Sequence, residues 1–230
     1  MIDLHSHYLP GIDDGAKDTK DSLRMLAEAF KQGVKLCAGT PHAVVHSNED
    51  IDVFLKSRHE SIERLLSGPI SEPIPKLIYG AEVFLDNDVS QYSDIKKLCI
   101  GDTDLLLVEL STRKYNPNYS EWLYSLNLIG IVPILAHIER YPYFEEFVAE
   151  LDDVNVAFQM NCKTILKYRW RKYLIERSLP GANYLVSSDM HDMSFRKCRM
   201  KKAYDKVNKR YDHIAEQLFG GTASRLLGLK

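Results

Sequence analysis

The sequence predicts an α/β fold, a closed barrel of parallel strands, and two observations carry that expectation. Short apolar runs alternate with amphipathic helical stretches about seven times along the 230 residues, joined by short connections. Many of these runs end directly in a histidine or a carboxylate, at the carboxyl ends of strands where parallel barrels place their functional side chains. An open, doubly wound sheet is the competing architecture. No Gly-x-Gly-x-x-Gly follows the first run, so a dinucleotide site is not supported. No linker interrupts the alternation, and residues 1–230 are read as a single domain.

The first strand is Met1-Ile2-Asp3-Leu4-His5-Ser6-His7. Residues two apart in an extended chain point the same way, so His5 and His7 can share one cation while Ser6 faces away. Gly11-Ile12-Asp13-Asp14-Gly15 follows as a turn whose glycines let a carboxylate swing back toward the strand end. Asp18 caps a helix carrying Leu23, Leu26, Ala27 and Phe30, with Asp21 in its first turn and Gly33 as its stop. A strand over 34–40 ends in Pro41-His42. Asn48 or Asp50 caps a second helix with Ile51, Phe54, Leu55, Ile62, Leu65 and Leu66 on its buried face, and Gly68, Pro69, Pro73 and Pro75 break the chain after it.

The strand 76–81 ends at Glu82, and 84–102 show only weak helical spacing in Val89, Ile95 and Leu98. Residues 105–108 are wholly apolar, as a strand buried on both faces should be, and stop at Glu109. A loop rich in Tyr and Asn leads to a helix near 120–127. The next strand, 131–136, ends in His137-Ile138-Glu139-Arg140. A short helix with Phe144, Phe147 and Val148 precedes a strand over 154–159, which ends in Met160-Asn161. One long helix bearing Ile165, Leu166, Trp170 and Leu174 stops before Pro180-Gly181. The last strand, 184–186, ends in Ser187-Ser188-Asp189-Met190-His191, and Met200, Ala203, Val207, Tyr211, Ile214 and Leu218 mark a closing amphipathic helix.

Composition excludes several classes of function. Net charge is -2, from 30 basic and 32 acidic residues with no obvious basic block, so a nucleic-acid partner is not expected. The chain opens on a strand rather than a basic and apolar leader, and its longest apolar run, 128–136, is too short to span a bilayer. A cytoplasmic protein is expected. Cys37, Cys99, Cys162 and Cys198 lack metal-ribbon spacing. A cysteine-dependent phosphatase needs an arginine six positions after its nucleophile, and those positions hold Ala43, Leu105, Tyr168 and Tyr204. Any phosphatase chemistry here must therefore come from metals.

His5, His7, His42, Glu82, Glu109, His137 and Asp189 each follow an apolar run. A single histidine or acid there is ordinarily a satisfied structural group or a solvated cap. Six strand ends in succession point instead to a multinuclear metal site. Imidazole and carboxylate without thiolate favour manganese or iron, with zinc also open. His46, His59 and His213 sit in polar surroundings and read as surface residues.

His-x-His at the first strand, Pro-Gly-Ile-Asp-Asp-Gly-Ala, Thr-Pro-His, Gly-Ala-Glu, Val-Glu-Leu, Ala-His-Ile-Glu-Arg-Tyr and Ser-Asp-Met-His together form an ordered set over 1 to about 204. That set resembles the polymerase and histidinol phosphatase (PHP) superfamily, in its branch of bacterial protein tyrosine phosphatases tied to capsule and exopolysaccharide synthesis. The resemblance implies a distorted (β/α)7 TIM-like barrel and three divalent metal ions. One ion would take His5, His7, Glu82 and Asp189; Glu82 would bridge to a second, shared with Glu109 and His137. A third would take Asp14, His42 and His191. Arg140 and Arg196 match phosphate-binding arginines of the family, with Arg199 competing for the second role. Ile138 stands where a proline is usual, and 195–199 lack the usual proline, which leaves the loop geometry open.

The activity so implied is hydrolysis of phosphotyrosine in a protein, with a cognate bacterial tyrosine kinase as substrate and partner. Metals would offset the charge of the phosphate dianion, the two arginines would bind its remaining oxygens, and Asp14, His42 or His191 would orient an acidic water. Tyr8, Tyr115, Tyr141 and Tyr143 are candidates to line the mouth. Three alternatives stay open: a phosphatase for a small monoester such as histidinol phosphate, an amidohydrolase, and a non-enzymatic regulatory metal-binding protein. Glu109 stands where an amidohydrolase usually presents a lysine, and the ligands outnumber what one closed structural site uses.

Overall fold

A computed structural model describes residues 1–178 and 183–229. Among them, β1 (Ile2–Asp3), β2 (Leu36–Gly39) and β4 (Lys76–Tyr79) form one sheet in the order β1-β2-β4. β3 (His42–Val44), β5 (Glu82–Phe84), β6 (Leu105–Glu109), β7 (Val132–Leu135), β8 (Ala157–Asn161) and β9 (Tyr184–Ser187) form a second in that order, and every pairing is parallel. β2 and β3 are two parts of one interrupted strand, as are β4 and β5, so seven strands go round the ring. The ring closes where Asp189 N–H donates to His5 O at 2.8 Å and His7 N–H to Met190 O at 2.9 Å. The closed parallel barrel expected from the sequence is therefore the observed architecture.

The interruption has a covalent cause. With Gly39 opposite Tyr79, the parallel ladder would have the amide at position 41 donate to Gly80 O, and Pro41 has none to give. Gly80 N–H still donates to Gly39 O and Glu82 N–H to Pro41 O, each at 2.9 Å. The orphaned Gly80 carbonyl accepts instead from Arg58 Nη1 at 2.8 Å.

The inside of the ring is recognised by its cluster of small and branched side chains. Leu4, Leu36, Ala38, Leu105, Leu107, Ile134, Ala157 and Leu185 form one buried group with Ile78 against it, so all seven strands contribute. A larger cluster, including Leu106 and Val108 from the other face of β6, lies between strands and helices. Hence the unbroken apolar run of β6.

Asp18 caps α1 (Thr19–Lys31) by accepting from Asp21 N–H at 2.9 Å, and Gly33 takes φ +90° just past its end. α2 (Asn48–Leu66) is capped by Ser47, whose Oγ accepts from Asp50 N–H at 3.1 Å. Neither expected cap, Asn48 nor Asp50, takes that role: the Asp50 carboxylate accepts from His46 N–H at 2.8 Å. Residues 84–102 hold two 3-10 turns, Val89–Gln91 and Ile95–Leu98, which distort the alternation. α3 (Tyr119–Leu128) falls where expected, and α4 (Phe144–Phe147) is short. β8 starts later than the sequence suggested. Asn155 is tied to α3, its N–H donating to Asn127 Oδ1 at 2.7 Å.

The long helix expected after β8 is two, α5 (Cys162–Ile165) and α6 (Tyr168–Arg177), parted by an extended Lys167. Arg171 Nη1 donates to the carbonyls freed there, Ile165 O at 3.0 Å and Leu166 O at 3.3 Å. Its expected stop at Pro180-Gly181 lies outside the described residues. The closing helix is also broken. α7 (Met200–Asn208) ends before Tyr211, whose backbone (φ -144°, ψ 67°) is not helical, then α8 (Asp212–Glu216), a π turn over Gln217–Gly221 and α9 (Thr222–Leu226) follow. Ala223, Leu226 and Leu227 join the inner cluster and cover the amino-terminal end of the barrel. Among the described residues, no helix is long and apolar enough to cross a membrane.

Candidate metal centre

The opposite, carboxyl-terminal rim gathers all nine side chains singled out in the sequence. His5 and His7 follow β1, His42 opens β3, Glu82 opens β5, Glu109 ends β6, His137 follows β7, and Asp189 and His191 follow β9. Asp14 comes from the glycine-flanked loop. Glu82 is the hub: its Oε2 lies 3.1 Å from His5 Nε2, 3.2 Å from His7 Nε2 and 3.1 Å from His42 Nδ1, while Oε1 lies 3.0 Å from His137 Nε2. Glu109 stands 3.4 Å from His137 Nε2 and 3.7 Å from His42 Nδ1. Asp14 Oδ1 is 3.4 Å from His42 Nε2 and 3.3 Å from His191 Nε2, and Asp189 Oδ1 is 3.5 Å from His5 Nε2. His46, His59 and His213 are exposed and lie elsewhere.

Backbone geometry is unusual where it serves this rim. Among non-glycine described residues, only His137 (φ 33°) and Asp189 (φ 51°) are left-handed. Such conformations cost on the order of 1–3 kcal/mol each and persist only when neighbours enforce them. His137 N–H donates to Gln159 Oε1 at 2.7 Å, and Asp189 N–H is part of the barrel closure. Gly15 allows the Asp13-Asp14 loop to touch the strand end: a Cβ there would collide with the His7 carbonyl oxygen.

Several residues missed in the sequence orient the ones found. Asp13 Oδ2 accepts from His7 Nδ1 at 2.7 Å and from His42 N–H at 3.2 Å. Gln159 Oε1 accepts from His5 Nδ1 at 3.0 Å, Gln159 Nε2 donates to Asn161 Oδ1 at 2.9 Å, and Asn161 Nδ2 donates to Asp189 Oδ2 at 2.7 Å. These bonds hold a proton on Nδ1 of both His5 and His7 and aim both Nε2 atoms at the centre, where each becomes a donor to a metal once its proton is displaced. The sequence carried a signal, since the sixth strand ends in amides where the others end in histidine or acid.

Charge in the cluster is tightly linked. Burial opposes the charge of His5, but Glu82 and Asp189 outweigh it and push its pKa up to about 10; Glu82 and Glu109 likewise carry His42 to about 9 against burial. Burial, with His7 beside it, pushes His191 down to about 3. Burial works against ionisation of Asp189, yet His5 and His7 draw it down to about 2. His191 is thus neutral at pH 7, and its Nδ1 faces Asp189 O at 3.1 Å. Its Nε2 lone pair then faces a carboxylate oxygen of Asp14, acceptor against acceptor. Glu82 Oε2, His137 Nδ1 and His191 Nε2 are buried without a hydrogen-bond partner.

Acceptors crowded in this way repel one another unless cations stand between them, and the mixed imidazole and carboxylate donor set suits divalent ions. Three groups could hold an ion: His7, Asp14, His42 and His191; His5, His7 and Asp189; and His42, Glu82 and Glu109. The residues fit a multinuclear metal site. The groupings differ in detail from those implied by resemblance, with His7 also facing Asp14 and His42 also facing Glu109.

Beside the cluster lies a basic cavity of about 310 Å³ lined by Arg140, Asn161, Lys163, Ser188, Asp189, Arg196 and Lys197. Arg196 donates to Asp189 Oδ1 at 2.9 Å and to Asp14 Oδ2 at 3.3 Å. Arg199 lies outside that lining. Of the tyrosines considered for the mouth, Tyr8 is buried, its hydroxyl donating to Ile78 O, and the buried Tyr141 hydroxyl accepts from Leu110 N–H. Their hydroxyls are committed to the barrel wall. Tyr115 and Tyr143 remain partly open and face each other, ring centroids 5.2 Å apart.

Residues 1–228 match the family described as capsular polysaccharide synthesis, CpsB/CapC. The chain belongs to the CpsB/CapC family. Among its relatives, the tyrosine-protein phosphatase CpsB of Streptococcus pneumoniae is 29% identical over 95% of both chains. Tyrosine-protein phosphatase YwqE of Bacillus subtilis is 30% identical over 99% of this chain and 91% of its own. A solved chain from the crystal structures of YwqE and CpsB, described there as unique metal-dependent tyrosine phosphatases, superposes with a TM-score of 0.76 at 25% identity, covering 100% of this chain and 96% of that one. The inactive dihydroorotase-like domain of a Chaetomium thermophilum CAD-like protein shares the fold at a TM-score of 0.57 and 9% identity. The CpsB/CapC membership agrees with the capsule-associated branch to which the sequence motifs pointed.

Proposed function

We propose that this chain is a metal-dependent protein tyrosine phosphatase, folded as one domain over 1–230. The observation that carries the reading is the convergence of five imidazoles and four carboxylates on one rim, next to a cavity lined by Arg140 and Arg196. The names of its relatives support the substrate class.

In this reading His5, His7, Asp14, His42, Glu82, Glu109, His137, Asp189 and His191 hold three divalent ions, with manganese first and iron or zinc as the other options. When bound, the ions supply positive charge against the phosphoryl oxygens and acidify the attacking water. Arg140 and Arg196 bind the remaining oxygens as charge builds on them, the guanidinium fork matching the phosphate geometry. Arg196 already bonds two rim carboxylates, so it is held at the border between cluster and cavity. Asp14 and His42, the more open members of the cluster, orient the water and its proton. The tyrosyl group leaves more readily than an alkoxide because a phenol has a pKa near 10.

The physiological substrate is a phosphorylated bacterial tyrosine kinase of capsule or exopolysaccharide synthesis, met in the cytoplasm. The test is protein purified without chelator, assayed for metal content and for turnover of a phosphotyrosine peptide and of histidinol phosphate. Bound divalent metal with preferred turnover of the peptide is expected. Preferred turnover of histidinol phosphate would move the activity to a small monoester, and metal without turnover of either would leave a regulatory metal-binding protein.

A further inference from the structure

The charge of this chain is nearly balanced, but its cations are not evenly spread. Residues 163–210 contain 14 of its 30 lysines and arginines and only 4 of its 32 acids. No run of more than two consecutive cations marks the segment, because β9 and apolar helix positions divide it. The fold reunites the halves: α5 packs against both α6 and α7. Between α6 and α7 lies a cavity of about 420 Å³ with Arg171, Lys172, Lys206, Lys209 and Arg210 in its wall and Glu176 as its one acid. Lys172 pairs with Glu176 at 3.6 Å, whereas Lys206, Lys209 and Arg210 have no ion-pair partner among the described residues.

One helix leads from the proposed phosphate site to this groove. Lys163 and Lys197 line the cavity of Arg140 and Arg196, and α7 begins three residues after Lys197. At 1.5 Å per residue, α7 carries the positive surface roughly 12 Å from Met200 to Asn208. An extended peptide advances about 3.3 Å per residue, so one leaving the cavity at Lys197 reaches Lys206 after some four to six residues.

We infer that the α6–α7 groove is a second binding surface for an acidic stretch of polypeptide some four to six residues from the scissile phosphotyrosine. The inference rests on the phosphatase reading for its first anchor, but the groove is defined independently by its charge and shape. A concave channel between two helices, reached along α7 from the phosphate cavity, suits an extended anionic chain better than a flat lipid surface. Each exposed ion pair changes affinity by up to roughly fivefold, so three unpaired cations together favour an acidic partner by about tenfold or more at low salt.

The test uses the metal-loaded full chain and its Lys206→Gln/Lys209→Gln/Arg210→Gln variant. Two phosphotyrosine peptides share one core, carrying either glutamates or glutamines at the fourth to sixth positions on either side. The wild-type chain should show a KM about tenfold lower for the glutamate peptide, a preference that fades as salt is raised. The variant should lose that preference and keep its kcat on both peptides. A fluorescent, unphosphorylated glutamate peptide should bind the wild type and not the variant, which reads the groove without turnover.

Equal KM values in the wild type, or a preference retained by the variant, would overturn the inference. So would binding of phosphatidylserine vesicles through these three residues without binding of the peptide. Peptide binding lost in the variant, with no phosphotyrosine turnover by either protein, would keep the groove and remove the substrate reading. If the triple variant were unstable, the single Lys209→Glu exchange should shift the same preference in the same direction.

Discussion

Asp13→Asn separates a residue that orients the cluster from those proposed to hold metal. The Asp13 carboxylate uses Oδ2 for His7 Nδ1 at 2.7 Å and His42 N–H at 3.2 Å, and Oδ1 for Gly15 N–H at 2.9 Å. Burial alone would raise its pKa, but the bond from His7 and the two amides hold it low. Asparagine offers one acceptor oxygen. With that oxygen toward His7, its amide faces Gly15 N–H, donor against donor. Turned over, the amide faces His7 Nδ1, drives the ring proton to Nε2 and removes the lone pair aimed at Glu82. Either outcome loosens His7. Loss of such an orienting bond lowers metal affinity by about 10- to 100-fold, or roughly 1.4–2.7 kcal/mol. Chelator competition with manganese reads the affinity directly, and kcat at saturating metal should fall much less. Unchanged affinity, with the variant folded, would refute the orienting role and with it the placement of His7 among the ligands.

Glu82→Gln removes the charge shared by four imidazoles, and metal content should fall together with a loss of turnover greater than about hundredfold, read by elemental analysis and phosphotyrosine assay. Stripped of metal, the protein holds protons on His5 and His42 at pH 7, since their pKa values stand at about 10 and about 9. Loading must displace them, so calorimetry in buffers of different ionisation enthalpy should show release of about two protons, and apparent affinity should rise up to about pH 10. The same raised values stabilise the metal-free fold below pH 6.5, and that contribution is lost as pH rises through 9 to 10. Its Tm should therefore fall on the alkaline side, while metal-loaded protein resists. Gly15→Ala drives a Cβ against His7 O and should cost about 1–3 kcal/mol in urea unfolding. Arg58→Ala leaves the Gly80 carbonyl, already without an amide from Pro41, to water or to nothing, at about 1–3 kcal/mol.

Much of this was legible because parallel barrels couple two local patterns, an apolar run and the polar residue that ends it. Strand order, the carboxyl-terminal rim and seven of the nine side chains gathered there follow from that coupling, whereas Asp14 and His191 were reached only through the resemblance of the motifs to a known family. Three kinds of feature did not follow. Helix breaks such as Lys167 and Tyr211 leave no mark in the apolar spacing, which runs on unchanged; at the first, the Arg171 side chain takes up the freed carbonyls of Ile165 and Leu166. Cap identity at α2 was contested by Ser47, Asn48 and Asp50, and His46 N–H engages Asp50. The basic flank escaped notice because its cations come from two helices separated by a strand, and only the fold sums their charge.

The rim also shows why the side chains differ in length from strand to strand. Neighbouring strands lie about 4.8 Å apart, so groups on nonadjacent strands meet only if their side chains reach inward. Glu82 and Glu109, on the third and fourth strands, have the extra methylene to do so, and Glu82 spans from His5 to His137. Asp189, one carbon shorter, meets His5 from a left-handed backbone that carries the main chain itself toward the centre. Asn161 and Arg196 then bind its carboxylate from outside, at 2.7 and 2.9 Å, and Gln159 does the same for His5 and the other left-handed residue, His137. Strain at two backbone positions is thus opposed by hydrogen bonds from the one strand end that offers amides, so the sixth strand supports the cluster without contributing a member of the nine.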